Sequence, residues 1–179
     1  MGDLLTDYFN QYKENIKKIV HVGAHLGQEV DFYLKYNPEK IYLFEPNKKI
    51  FNDFEKNFNK YKNIHFYNFG LGSTNKKEQF FISNENMGES SSFLKPKKHE
   101  IVKPEITFTK SKMMLEIKKF DSLDINNIDF LNIDTQGYEL EVLKGFQEQL
   151  KNILFIHCEI NRDFVYENNA LNTSNSLKF

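Results

Sequence analysis

The apolar positions of this chain alternate between two spacings. Leu4, Leu5, Tyr8, Phe9, Tyr12 and Ile16 follow one another at helical intervals, so a leading helix within residues 1–17 carries one apolar face. Residues 18–22, Lys-Ile-Val-His-Val, then form a short apolar run ended by Gly23, the pattern of a buried strand. Residues 28–36 return to helical spacing and stop before Pro38. The alternation repeats with a strand at 41–44, a helix whose stripe is Ile50, Phe51, Phe54 and Phe58 behind the cap residue Asn47, and a strand at 64–67. Residues 128–133 and 153–158 give a fourth and a fifth strand, separated by a helix carrying Leu140, Leu143, Phe146 and Leu150.

Strands alternating with helices predict an α/β fold of the Rossmann-like type, a doubly wound and mostly parallel sheet, because right-handed crossovers place helices on both faces. The stretch 69–123 interrupts the alternation. It has no strong helical pattern, and residues 78–82 and 113–120 predict the strands of an inserted β-hairpin around a Ser/Lys/Pro loop. With 179 residues, no internal repeat and no Pro/Gly-rich linker, the chain reads as a single domain over 1–179 with an irregular tail from 161.

Charge and cysteine content narrow the function classes. The 24 Lys+Arg and 25 Asp+Glu leave a net charge of −1, which creates no field to hold a nucleic acid or an anionic membrane. Cys158, the sole cysteine, excludes an intramolecular disulfide and a cysteine-based zinc cluster. His21, His25, His65, His99 and His157 show no H-x-x-x-H spacing, so no metal is expected. The chain does not open on a basic segment followed by an apolar run, and no run approaches the roughly 20 apolar residues of a membrane span. The expectation is a cytoplasmic protein without nucleic-acid or membrane partners.

In open α/β sheets ligands bind beyond the carboxyl ends of the strands, where the strand order reverses. The first strand exits through Val22-Gly23-Ala24-His25-Leu26-Gly27, in which Gly23 permits a tight turn and Gly27 a close approach, while free helix N–H groups favour a negative group. Glu45 directly follows the second strand, where a carboxylate can accept hydrogen bonds from ribose hydroxyls or can simply be a solvated strand end. The turn lacks G-x-G-x-x-G, since His25 stands at the second glycine's place, which disfavours an NAD-linked dehydrogenase. The fourth strand leads into Asp134-Thr135-Gln136-Gly137-Tyr138-Glu139-Leu140-Glu141-Val142-Leu143-Lys144-Gly145, a long phrase that opens a helix.

Together with residues 19–28 and Leu43-Phe44-Glu45-Pro46, that phrase makes the chain resemble the FkbM family of methyltransferases over about residues 19–166. The resemblance implies S-adenosylmethionine as cofactor and methyl transfer to a hydroxyl oxygen. It assigns Gly23, Ala24 and Gly27 to the methionine end of the cofactor, Glu45 to its ribose, and Asn68 and Gly70 to the flanks of its adenine. Residues 88–93, Gly-Glu-Ser-Ser-Ser-Phe, are similar to a serine-containing loop that the family places beside the active site. His21 stands where the family commonly has an aspartate, and Gln136 replaces a frequent glutamate.

Transfer from a sulfonium is an in-line displacement, so a group must align the acceptor hydroxyl and take its proton. Asp134 is the first candidate, with a helix-capping role as the competing reading, and Glu139 is the second, with a favourable interaction at the helix's positive end as its competitor. The expected acceptor is a small hydroxylated molecule, a sugar, polyketide or similar metabolite. The alternative function is a shortened, non-catalytic cofactor-binding or interaction domain. A methyltransferase sheet of this type normally continues past its fifth strand, and only 19 residues follow Ile160 here. The last strands are therefore expected to be missing, leaving the fifth at an edge open to self-association.

Overall fold

The computed structural model describes residues 3–160 and 165–168. Helix α1 (Asp3–Tyr12) buries Leu5 and Phe9, and β1 (Lys18–Val22) follows. The next helix, α2 (Val30–Leu34), is shorter than the periodicity of 28–36 suggests. Gly27 holds φ +79° and Glu29 provides no side-chain cap, so the chain spends residues 28 and 29 turning before the helix forms. β2 (Lys40–Phe44) leads to α3 (Lys48–Phe58), which is capped as expected: the Asn47 side chain accepts from the Lys49 N–H at 3.2 Å. Its Ile50, Phe51 and Phe54 are buried, and β3 (Ile64–Tyr67) completes this half.

The interruption is more elaborate than one hairpin. β4 (Gly70–Leu71), β5 (Lys76–Glu78) and β6 (Phe81–Ser83) precede a short helix α4 (His99–Val102), then β7 (Phe108–Lys110) and β8 (Leu115–Lys118). β5 pairs antiparallel with β8 but shares only Glu78 with the expected strand 78–82, whose Phe81 and Ile82 lie in β6 and pair with β7 instead. Gln79 separates the two ladders: its amide donates to the Phe80 and Ser111 carbonyls and to Ser111 Oγ.

β9 (Phe130–Ile133), α5 (Glu139–Phe146) and β10 (Phe155–Cys158) return to the α/β pattern. The central sheet has five parallel strands in the order β10-β9-β1-β2-β3, a Rossmann-like arrangement. Its order reverses between β1 and β9. Core residues of β1, β2 and β9 pack on both faces, with Phe9, Tyr33 and Phe54 on one side and Phe120, Val142 and Phe146 on the other. β10 lies at the sheet's edge among the described residues, with Leu154 and Ile156 exposed. Of the expected tail, residues 165–168 lie across the insert, where Lys97 and Lys98 N–H groups donate to the Val165 carbonyl. Residues 161–164 and 169–179 lie outside the described residues.

Candidate active site

A cavity of about 440 Å³ opens at the reversal point, within the usual range for small-molecule sites. Val22 and Gly23 from the β1 exit, Phe44 and Glu45 from the β2 exit, and Asp134, Thr135 and Gln136 from the β9 exit all line it. Gly23 holds φ +82°, and a Cβ there would overlap the Asp134 carbonyl, so this glycine brings the β1 and β9 exits together. Gly27 serves a different purpose. A Cβ there would meet the Phe58 ring at 2.8 Å, so its bareness lets α3 pack against the turn, and Gly27 does not line the cavity. Ala24 is buried in the core behind the turn.

Glu45 joins the β1 and β2 exits. Its Oε2 accepts from the His25 N–H at 3.1 Å and its Oε1 from the Asn47 N–H at 2.7 Å. Burial pushes its carboxyl up to about 7, against the opposing pull of the Asn47 and His25 contacts. The carboxylate is thus held rigidly at the cavity wall with acceptor capacity to spare. Asn68 supports the same corner from behind: its amide donates to the carbonyls of Glu45 at 2.8 Å and Pro46 at 3.2 Å, and it does not line the cavity. Gly70 does line it, and a Cβ there would press on the Phe93 ring at 2.5 Å.

At the β9 exit, burial raises the Asp134 carboxyl to about 8, and nearby Glu159 adds to the rise. Gln136, in left-handed backbone at φ +54°, donates to Asp134 Oδ1 at 2.7 Å and pulls the other way. Glu159 follows β10, anchored by its N–H to the Ile133 carbonyl, and faces the same cavity. Glu139 stands apart from the cavity lining. Its Oε1 accepts from Thr135 N–H, Thr135 Oγ1 and Gly137 N–H at 2.8–3.1 Å, holding the loop after Asp134, while buried Oε2 has no partner among the described residues. Burial raises Glu139 as well. The Cys158 thiol is pushed up to about 12 by burial and these carboxyls, which removes it as a nucleophile near neutral pH.

His21 is an interior histidine, 2% exposed, whose Nδ1 lies 3.4 Å from Tyr33 Oη. Asn132 extends this network by donating to Tyr33 Oη at 2.8 Å and bonding His157 Nδ1 at 2.8 Å. Burial, then His157, depresses His21 to about 3, so it is neutral at working pH.

The serine-containing loop closes the site from the insert. Gly88, Glu89, Ser90, Ser91 and Phe93 line the cavity. Its hydroxyls are largely spent internally: Ser91 Oγ accepts from Ser83 N–H, and Ser92 Oγ donates to the Thr135 carbonyl. His25 Nε2 contacts the Met87 carbonyl at 2.9 Å, tying the loop to the glycine turn.

Structure thus brings Gly23, Glu45, Gly70 and Asp134 to one cavity and leaves Ala24, Gly27, Asn68 and Glu139 outside its lining, supporting its walls. Sequence reasoning assigned no role to His99, Phe80, Lys103 or Val165, which also line it. Glu159 carried a weak signal, as a strand-end acid sharing a face with His157. Among the described residues, no group of three or more His, Cys, Asp or Glu is placed to hold a metal ion, and no helix is long and apolar enough to cross a membrane.

The methyltransferase FkbM domain model matches residues 21–175. The 2-O-methyltransferase NoeI of Sinorhizobium fredii is 23% identical over 159 residues, covering 83% of this chain and 65% of that protein's length. A crystal structure of methyltransferase FkbM from Methylobacillus flagellatus KT aligns with a TM-score of 0.50 at 16% identity, over 75% of this chain and 30% of that one, and so shares its fold.

Proposed function

Because this chain belongs to the FkbM methyltransferase family, we propose that it methylates a hydroxyl oxygen of a small molecule, a sugar, polyketide or similar metabolite, with S-adenosylmethionine as donor. The observation that carries this reading is Glu45, a buried carboxylate fixed by the glycine turn's own N–H at the wall of the reversal-point cavity. The residues present fit the cofactor: a cavity of about 440 Å³, an anchored acceptor for ribose hydroxyls, and side-chain-free lining at Gly23 and Gly70. Gly23 would hold the methionine end and Glu45 the ribose, with Gly70 beside the adenine. Ala24, Gly27 and Asn68 shape that pocket from behind. When bound, the cofactor supplies an electrophilic methyl group on a sulfonium.

The chain's own contribution is orientation and proton removal. Asp134, raised to about 8, is matched to accepting a hydroxyl proton near neutral pH. Gln136 fixes the carboxylate's direction through Oδ1. Glu139 holds the Asp134–Gly137 loop in shape rather than meeting substrate. The partner reading is a small-molecule acceptor, with the β10 edge available to a second copy of the chain.

Incubation with labelled S-adenosylmethionine and a panel of hydroxyl compounds tests the reaction. Transfer to oxygen, reduced about 100-fold or more in Asp134→Asn with donor affinity unchanged, is the expected result. Binding of the donor with no transfer to any hydroxyl compound would instead favour a non-catalytic role, and joint loss of binding and folding in Asp134→Asn would make Asp134 a structural cap.

A further inference from the structure

The cavity walls come from two sources, and only one is accounted for by the cofactor. The strand exits supply Gly23, Glu45 and Asp134, whereas the insert and residue 165 supply Phe80, Phe93, His99, Val102, Lys103 and Val165. On this second wall the polar groups are mostly committed. Ser91 and Ser92 are bonded within the loop or to Thr135, and the nearby Tyr166 hydroxyl donates to the Ser90 carbonyl at 2.7 Å. His99 is different. It is 4% exposed, lines the cavity, and among the described residues its buried Nδ1 has no hydrogen-bond partner. Buried polar nitrogens are nearly always paired, and an unpaired one on a cavity-lining residue points to a ligand that completes it.

The ring is also well fixed. Phe108 packs edge-on against it at 4.9 Å between centroids and Tyr166 at 5.7 Å, while Val165 receives the Lys97 and Lys98 N–H groups, so insert and tail segment clamp His99 together. Burial, with Lys103 adding to it, keeps the imidazole below its ordinary range and hence neutral. A neutral imidazole offers one donor and one acceptor nitrogen, matching a hydroxyl that both gives and takes a hydrogen bond. Phe80, Phe93, Val102 and Val165, which line the same cavity, suit the apolar C–H faces of a ring whose edges bear hydroxyls.

We infer that the wall formed by His99 and these apolar side chains is the acceptor subsite, and that His99 hydrogen-bonds a hydroxyl of a cyclic polyhydroxylated acceptor such as a sugar ring. This rests on the methyl-transfer reading and adds to it a specificity-determining residue.

The test uses the full chain saturated with S-adenosylhomocysteine, the demethylated product, and a panel of methyl glycosides and cyclic polyols read through the His99 imidazole nitrogen resonances. At least one compound shifts the His99 resonances saturably, and that compound is methylated when S-adenosylmethionine replaces the product. His99→Phe, which keeps an aromatic ring between Phe108 and Tyr166, raises the KM for that compound at least tenfold, while S-adenosylmethionine affinity stays within twofold. His99→Asn, which can return a polar atom near Nδ1, restores much of the loss. If S-adenosylhomocysteine binds but no compound moves His99, or if His99→Phe leaves the acceptor KM unchanged, the subsite is overturned while the cofactor reading stands. If S-adenosylhomocysteine fails to bind, the methyl-transfer reading itself falls.

Discussion

Asp134 and Glu159 share one cavity, and this sets how the site should respond to pH. Burial first, and then the neighbouring Glu159 charge, raises the Asp134 carboxyl to about 8. A base must be deprotonated to work, so turnover should rise with pH and level off above about 8. Glu159→Gln removes a neighbouring negative charge and should move the midpoint to lower pH. Single-turnover rates between pH 6 and 9 check this, and a flat profile in the parent chain would remove Asp134 from the proton transfer. At this scale the sequence was informative where a residue sits directly after a strand, as Glu45 and Asp134 do. It was uninformative for His99, because a histidine in a Lys-rich stretch acquires its meaning only when residues 165 and 166 fold over it.

Elements were legible wherever a strand is buried on both faces, because continuous apolar runs leave few alternatives. Their ends were less so. Residues 128–133 read as one strand, yet β9 begins at Phe130, because the Asp129 carboxylate is occupied in accepting from the Lys17 and Lys18 N–H groups at 2.8 Å. The hairpin expectation placed strands in the insert but missed the break at Gln79, which depends on the distant Ser111 and divides residues 78–82 between β5 and β6. Among the described residues β10 is an edge strand of the central sheet, and a prediction follows from this. α1 covers one face of this strand, with Tyr8 and Tyr12 packed against Phe155 at 4.8 and 4.9 Å, but Leu154 and Ile156 remain 52% and 40% exposed. Sedimentation should show concentration-dependent dimers that Ile156→Lys disperses, since a charge opposes edge pairing. A monomer at all concentrations with strongly protected β10 amides would contradict it.

Across the whole molecule, the site imposes a cost that stability measurements can detect. Glu45 and Asp134 have folded values near 7 and 8, above their ordinary ranges, so the native state holds protons that the unfolded chain has released. Their stabilisation is complete at low pH and is lost as pH rises through these values. His21, depressed to about 3, acts oppositely: its contribution is present above about 6.5 and lost as pH falls. The two trends oppose each other below pH 6.5, leaving the carboxyl effect alone above it. Melting temperature should therefore fall by roughly 3 °C or more between pH 6.5 and 8, and Glu45→Gln should flatten that slope. A melting temperature that rises over this interval would show that these carboxyls are ionised in the native state.

Glu45 is the proposed anchor of the cofactor, and calorimetric titration with S-adenosylmethionine tests that role directly. The parent chain should bind S-adenosylmethionine and not NAD, and Glu45→Gln, which keeps the side chain's shape but removes its charge, should weaken binding about tenfold or more. Equal affinity in the parent and Glu45→Gln chains, or preferential binding of NAD, would contradict it.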